Sequence, residues 1–383
     1  MILYLFWFFA SVILCMLTLR SGRRTQVVAM SLFMIALGVF VGLGDMLGGY
    51  DRYIYGELFD LMANDNRMGI NPWTTLAFEL YGTEFGYGTW EALMSYVTAN
   101  RYIFIFATTM VIYILLIQSL RQYVDNAPFA VVMFMGLWFF FTFTYLRQVM
   151  ACSICWLSVR FILDRKLVPF LIVWFIGYSF HNSAIIFLPA YFIPIRKFPI
   201  KWVIWVMVGA LLIGLTPFPQ GLFDAYGDVN EQRINVEDFA KDAGFRWAYL
   251  IEAAFFLFVI LTNYKQIALQ KKNIVMLNMA LVFCAIILVF VRSENGGRLG
   301  WFFMIGVICT ITNLCIDYKT RKMLWHGSLM LVISFLLFYR VLIAWGTLVY
   351  PYKSFLTNGF REGDYIHEKY EYDPSYDVDK FYR

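Results

Sequence analysis

Twelve mostly apolar runs follow one another along the chain, near 2–19, 26–43, 102–120, 127–145, 148–163, 167–180, 183–195, 202–217, 247–263, 274–291, 299–316 and 323–342. None alternates apolar and polar residues in the two-residue period of a half-buried strand. Most have a length near that of a bilayer-crossing helix, which needs about 20 residues at about 1.5 Å each. The pattern predicts an all-α fold, a polytopic transmembrane helical bundle of about 12 spans, forming a single membrane domain over residues 1–383. No basic stretch precedes the first run and no small-residue cleavage site follows it, so it reads as a span and not as a removable signal.

The connectors alternate in character. One set is short and basic, at 20–25, 121–126, 160–166, 196–201, 264–273 and 317–322, and holds 16 of the 31 Lys and Arg residues. The other set is long, acidic or uncharged. It comprises 44–101, tight turns near 147 and 181, 216–246, 292–298 and the tail from 346 to 383. Lys and Arg in short loops mark the cytoplasmic side. The long loops 44–101 and 216–246, the tail and both termini are therefore expected outside.

Residues 167–195 test this scheme. One continuous helix would place "LDRK" and "IRKFPIK" on opposite sides. A hairpin with its apex near "FHNS" keeps both basic segments together, and each leg then spans only about 21 Å against a core of about 30 Å. His181 is expected at the floor of an outward hollow.

Composition agrees. The chain is 61% hydrophobic and 15% charged, where soluble domains are about half apolar and a quarter charged. A nucleic-acid partner is not expected. The six cysteines all lie in apolar runs, so Cys152 and Cys155 read as small packing residues despite their redox-like spacing. No cofactor and no metal are expected. Asp377 and Asp379 have a metal-motif spacing, but they lie in a Tyr/Asp-rich tail that reads as a solvated segment.

This topology gathers the unusual polar residues at one side. Arg147 and Gln148 share one outward turn, and His181 and Asn182 another. "RSENGGR" supplies Arg292, Glu294 and Arg298, and Arg340 stands near the outer end of the last run. The first long loop carries "GGYDRYIYGELFD" and "YGTEFGYGTWEALMSY". No acid adjoins Arg147 in sequence. Several arginines without matching acids in the same turns point to an anionic ligand, because guanidinium forks grip phosphate oxygens bidentately. The Gly296–Gly297 amides are placed to add an anion nest. A single outward arginine is most often a headgroup anchor, so the inference rests on co-location. Glu252, within a run, reads equally as a functional group or as the partner of a nearby arginine.

The stretch "YLRQVMACSICWLSVRFILDRKLVPFLIVWFIGYSFHNSAIIFLPAYFI" resembles the central signature of the EpsG-like family, relatives of Wzy-type polysaccharide polymerases. That signature has an Arg, a small-residue apolar helix, a basic turn, and a helix ending in aromatic-His before Ser-Ala. Asp51, Tyr55 and "TEFGYGTWEAL" resemble the family's outer-loop segment, with Phe85 where a proline is usual, and "GGRLGWFF" resembles its late Arg-aromatic segment at Arg298. The resemblance implies a multi-pass protein of the bacterial inner membrane, acting in capsule, exopolysaccharide or O-antigen synthesis. Its implied activity joins oligosaccharide repeat units carried on undecaprenyl diphosphate, on the extracytoplasmic face and without a metal. Implied partners are those lipid-linked glycans, membrane lipids, a chain-length regulator and a flippase.

For such chemistry Arg147, Gln148, Arg292, Arg298 and Arg340 suit the diphosphate. His181 suits the acceptor hydroxyl as general base, or donates to a phosphate while Glu84 or Asp51 acts as base. Tyr53, Tyr55, Tyr87 and Trp90 suit sugar faces. The rival readings are a lipid-linked glycan flippase, which needs polar groups at the bilayer midplane, and a membrane O-acyltransferase.

Overall fold

In the computed structural model, the described residues are all except 47–49, 223–243, 294, 318–321, 351 and 357–383. Glu294, Asp377, Asp379, most of the 216–246 loop and most of the tail lie outside them. Every apolar run expected from the sequence is helical. Six helices or joined helix pairs reach 18 or more residues and are long and apolar enough to cross a membrane. These are Arg23–Gly42, Arg101–Tyr123, Leu146–Leu163, Lys271–Val289, Gly296–Leu314 and Trp325–Ala344. The other six runs form shorter apolar helices of 10–17 residues. The described β-structure is slight: Ile316–Asp317 pairs antiparallel with Lys322–Met323, and Gly44 bridges Ser354. The protein is an all-helical integral membrane protein.

The bundle is built around a helix that has no outer face. α7 (Ala127–Leu137) is buried at every position, which accounts for its lack of amphipathic period: a helix surrounded by others is apolar all round. Asn126 caps its first turn by accepting from the Phe129 N–H. Beyond its end Trp138 stacks on Trp156 at 4.7 Å, and Trp156 donates to the Phe302 carbonyl. The six cysteines are free and buried.

Contacts between connectors sort them into two ends. At one end, Lys272 pairs with Asp125 at 2.5 Å, Arg23 lies 4.0 Å from the same carboxylate, and Lys197 donates to the Ile267 carbonyl. This is the basic end. At the other, the loop end, Tyr4 donates to the Val349 carbonyl, Arg246 N–H to that of Val291, and Phe355 N–H to that of Leu43.

The segment 167–192 is a hairpin. α11 (Leu167–Phe180) ends at His181, whose extended backbone (φ −158°, ψ 124°) reverses the chain into the 3-10 helix Asn182–Phe192. Trp174 Nε1 donates to the Ala184 carbonyl across the legs. Arg165, in the basic turn before the first leg, donates to the Tyr191 and Ile193 carbonyls at the foot of the second. Both feet therefore share one end and His181 stands at the apex.

The loop 44–101 folds as a helical cap. α3 (Tyr50–Arg67) is anchored by Arg52, which is fully buried and donates to the carbonyls of Val41, Gly42, Gly44, Asp45 and Phe143. Its cation faces the negative C-terminal end of α2 (Arg23–Gly42) and satisfies carbonyls that the helix cannot. Arg101, buried at the start of α6 (Arg101–Tyr123), pairs with Asp60 on α3 at 2.5 Å. Neither arginine was singled out from the sequence.

Candidate functional site

The site is assembled where the cap meets the hairpin apex. α9 (Leu146–Leu157) opens with Arg147 and Gln148. α11 packs closely on α9 because Gly177 sits where a Cβ would come within 2.7 Å of Cys155 Sγ. This approach brings His181 over the start of α9. From the cap, α5 (Phe85–Ser95) comes still nearer: a Cβ on Gly86 would lie 2.3 Å from Ser179 Oγ. Glu84, just ahead of that glycine, is thereby pressed against the apex.

Arg147 has an acidic partner, against the expectation of an arginine without one. Its Nη1 donates to Glu84 Oε2 at 2.6 Å, and its Nε to Tyr55 Oη at 3.4 Å. The guanidinium also lies over the rings of Tyr55 and Tyr81. Nη2 makes no hydrogen bond among the described residues. Glu84 Oε1 accepts the Asn182 N–H at 3.0 Å and stands 3.6 Å from His181 Nδ1. Local sequence could not reveal this pairing, because the two residues are 63 positions apart.

His181 Nδ1 accepts the Ser183 N–H at 3.2 Å and lies 2.8 Å from Ser183 Oγ. An acceptor at Nδ1 places the proton of a neutral imidazole on Nε2. Gln148 continues the chain: its Nε2 donates to Ser183 Oγ and to the Arg298 carbonyl, and its Oε1 accepts from Arg298 Nε at 2.9 Å. Arg298 lies over Tyr145, 4.0 Å from the ring centre, and over Trp301. Arg147, Glu84, His181, Ser183, Gln148 and Arg298 thus form one connected network.

His181 and Glu84 lie in the turn and the loop, outside the membrane helices. Burial pushes the imidazole down to about 4, against the pull of Glu84 and helped by Arg147 and Arg298. Burial pushes the Glu84 carboxyl up, but the charge that His181 carries where it is protonated, the Arg147 guanidinium and the Asn182 N–H outweigh it and hold the group below its usual value. At neutral pH the apex therefore carries a neutral histidine beside an ionised glutamate.

The remaining expected residues are spread around this network. Asp51 lies one helical turn before Tyr55, and its charge acts on that phenol. Tyr87 is buried against Tyr55 and Tyr81, Tyr53 is buried under Arg101, and Trp90 Nε1 donates to Thr108 on α6. Arg292 is more peripheral, reaching the Leu215 carbonyl. Arg340 is exposed on the last long helix, and the charge it meets is that of Glu252. The Gly296 amide is committed to Ser293 Oγ and the Gly297 amide to Tyr249. Among the described residues no group of three or more His, Cys, Asp or Glu is placed to hold a metal ion.

Three participants were missed by sequence reading: Ser183, Tyr81 and Tyr145. Ser183 and Tyr145 each lie two positions from an expected residue, so proximity was the available signal. Tyr145 begins an aromatic wall with Phe141, Trp301 and Trp345 beside Arg298.

The model of the EpsG family matches this sequence over residues 27–354. No curated protein matches it, and no solved structure does.

Proposed function

The chain belongs to the EpsG family, which gives it a membrane polysaccharide-polymerase type of role, and from that premise we propose the reaction and its residues. The protein joins undecaprenyl-diphosphate-linked oligosaccharide repeat units into a surface polysaccharide. It does so at the outer face of the bacterial inner membrane, with about 12 segments in the bilayer and the loop end outward. Capsule, exopolysaccharide and O-antigen are the product classes that fit.

The observation that carries this reading is the Arg147–Glu84–His181 constellation at the loop end, tied to Arg298 through Gln148. The new glycosidic bond forms between the anomeric carbon of one unit and a hydroxyl of another, and the diphosphate leaves with the bonding electrons. Cationic donors aimed at that diphosphate lower the barrier, because charge develops there in the transition state. Arg147 supplies Nη2, and Arg298 supplies a guanidinium held by Gln148 and the aromatic wall. His181 Nε2–H suits the phosphate as a donor, since Nδ1 is occupied by Ser183.

Glu84 suits the acceptor hydroxyl. In the free protein Arg147 holds it ionised and weakly basic. A diphosphate that draws Arg147 away removes that stabilisation, while burial, which raises the carboxyl, remains. The base would thus gain strength when the donor substrate arrives. Asp51, beside Tyr55, is the second candidate for the base. Tyr145 and its aromatic neighbours supply ring faces for sugars.

The test is deletion of the gene followed by sizing of the surface glycan. Collapse of the ladder to a single repeat unit supports polymerisation. Loss of all surface units would assign the protein to lipid-linked glycan transport instead.

A further inference from the structure

The second half of the loop 44–101 turns an apolar face outward. From Met68 to Asn100 the chain has no Lys, Arg or Asp, and two of its three Glu residues, Glu84 and Glu91, are buried. Glu79 is the exposed one. Large apolar side chains are exposed instead. On α5 they form one stripe at helical spacing, Phe85, Leu93, Tyr96 and Val97, and Leu76 and Leu80 precede it. The first half of the loop differs: six of the eighteen residues of α3 are charged.

The hairpin fixes how deep this face lies. Asp164 and Lys166, at its first foot, are exposed, and a hydrocarbon core does not hold exposed charges of this kind. Leu167 therefore stands at or outside the core boundary on the basic side. Ser179 is twelve residues further along α11, about 18 Å up in a core about 30 Å thick. The Gly86 backbone packs on Ser179, and the Phe85 ring lies 6.2 Å from that of Phe175, one turn deeper. The start of α5 is thus roughly 12 Å below the loop-side boundary. The eleven residues of α5 climb about 16 Å, and the chain then passes through Asn100 into α6, which is long enough to cross. Backbone at such depth must be satisfied within the protein. The Leu80, Tyr81 and Glu84 N–H groups comply, donating to the carbonyls of Leu76, Phe78 and Tyr81.

We propose that the outer face of α5 is a lipid-contacting surface, embedded in the loop-side leaflet beside the first leg of the hairpin. Its apolar stripe continues one that already faces lipid. Val168, Ile172, Phe175 and Ile176 are exposed along α11, and Phe85 joins them through Phe175. An exposed apolar patch marks contact with protein or with membrane, and the depth of Phe85 selects the membrane. Tyr96, at the upper end of the stripe, has the amphipathic ring that suits the headgroup level, and Glu79 stands at that level too. The cap's inner face carries Glu84 to the network while its outer face meets acyl chains. This surface does not depend on the reaction proposed above.

Bimane attached to single cysteines of the full chain, reconstituted in phosphatidylcholine nanodiscs, tests it. The native cysteines are buried, and wild type treated with the same reagent supplies the blank. Phe85→Cys should lose emission to lipids with a nitroxide deep in the acyl chain, and Leu93→Cys to lipids with the nitroxide near the headgroup. Iodide in the buffer should quench both less than Asn64→Cys on α3, an exposed position. Leu93 lies away from the Phe175 contact, so the test stands even if Phe85→Cys fails to insert. Iodide quenching equal to that at position 64 overturns the proposal in favour of a water-facing loop. Shielding from both quenchers overturns it in favour of protein cover, and a disulfide between two Leu93→Cys chains identifies that cover as a second copy.

Discussion

Glu84 and Arg147 meet at 2.6 Å, the glutamate from the cap and the arginine from the first turn of α9. The carboxylate is buried and the guanidinium about a quarter exposed, so one face of the pair is open to a ligand. The pair joins the loop 44–101 to the membrane bundle, and its separation is what the proposed donor diphosphate would bring about.

Substitution can separate charge from fork geometry at this pair. Arg147→Lys keeps the charge and loses the bidentate fork, and polymerisation should fall by roughly 10² to 10³. Glu84→Gln keeps the shape and removes the base, with a fall of the same order. The double swap Arg147→Glu with Glu84→Arg should recover thermal stability lost in either single swap without recovering chain length. Recovery of polymer by the swap would mean that the pair is purely structural.

The histidine makes a claim about pH. With His181 lowered to about 4, kcat/KM, which reports the free protein, should show no step at the usual histidine value of 6.5. The pH dependence of kcat reports the complex, where Glu84 as base should titrate higher than in the free protein. His181→Gln should lower turnover by about 10² while the protein still inserts and binds substrate. A step near 6.5 in the wild-type kcat/KM profile that is lost in His181→Gln would show that His181 is charged and held by Glu84.

Stability follows the same groups. Between about 6.5 and 4 the unfolded chain holds a proton on His181 that the folded chain does not, so stability falls as pH falls through that window. Glu84, depressed in the fold, adds a further loss at lower pH as it is protonated. Unfolding temperatures of wild type and His181→Gln, measured from pH 7.5 to 4.5, should converge on acidification. Parallel curves would rule out the histidine as the source.

Gly86 sets how closely the cap approaches the hairpin. Gly86→Ala places a methyl 2.3 Å from Ser179 Oγ and 2.9 Å from the Ser179 carbonyl carbon, so the helices must part. The expected destabilisation is about 1–3 kcal/mol, with shortened polymer because Glu84 moves away from His181. Ser179→Gly should restore part of both, since the backbone contact remains. Unchanged unfolding temperature and ladder in Gly86→Ala would show that the approach is slack.

Sidedness is open to direct measurement, because the native cysteines are all buried. Single cysteines replacing exposed Asn64 at the loop end should label with an impermeant thiol reagent added to intact cells. Those replacing exposed Arg23, Arg196 and Gln270 at the basic end should label only after permeabilisation. Labelling of position 196 from outside would invert the assignment for the hairpin feet.

The sequence by itself determined the helices and their ends. Apolar run length is a local quantity, and eleven of the twelve runs became helical within a few residues of their expected bounds, while the run at 127–145 breaks after Leu137 and resumes as the short helix Phe141–Thr144. Charge in short connectors is local too, and it sorted the basic connectors to one end, where Lys272 and Arg23 meet Asp125. The hairpin at 167–192 followed from the same bookkeeping. What the tertiary structure alone decided is which distant residues touch. Glu84 reaches Arg147 only because the cap folds back, guided by the Arg52 anchor and the close packing at Gly86. Tyr53 and Tyr87, expected on sugars, are buried by the same folding of the cap. Periodicity reports what each segment must bury, whereas a pairing depends on chain reversals that bring remote segments within a few ångströms.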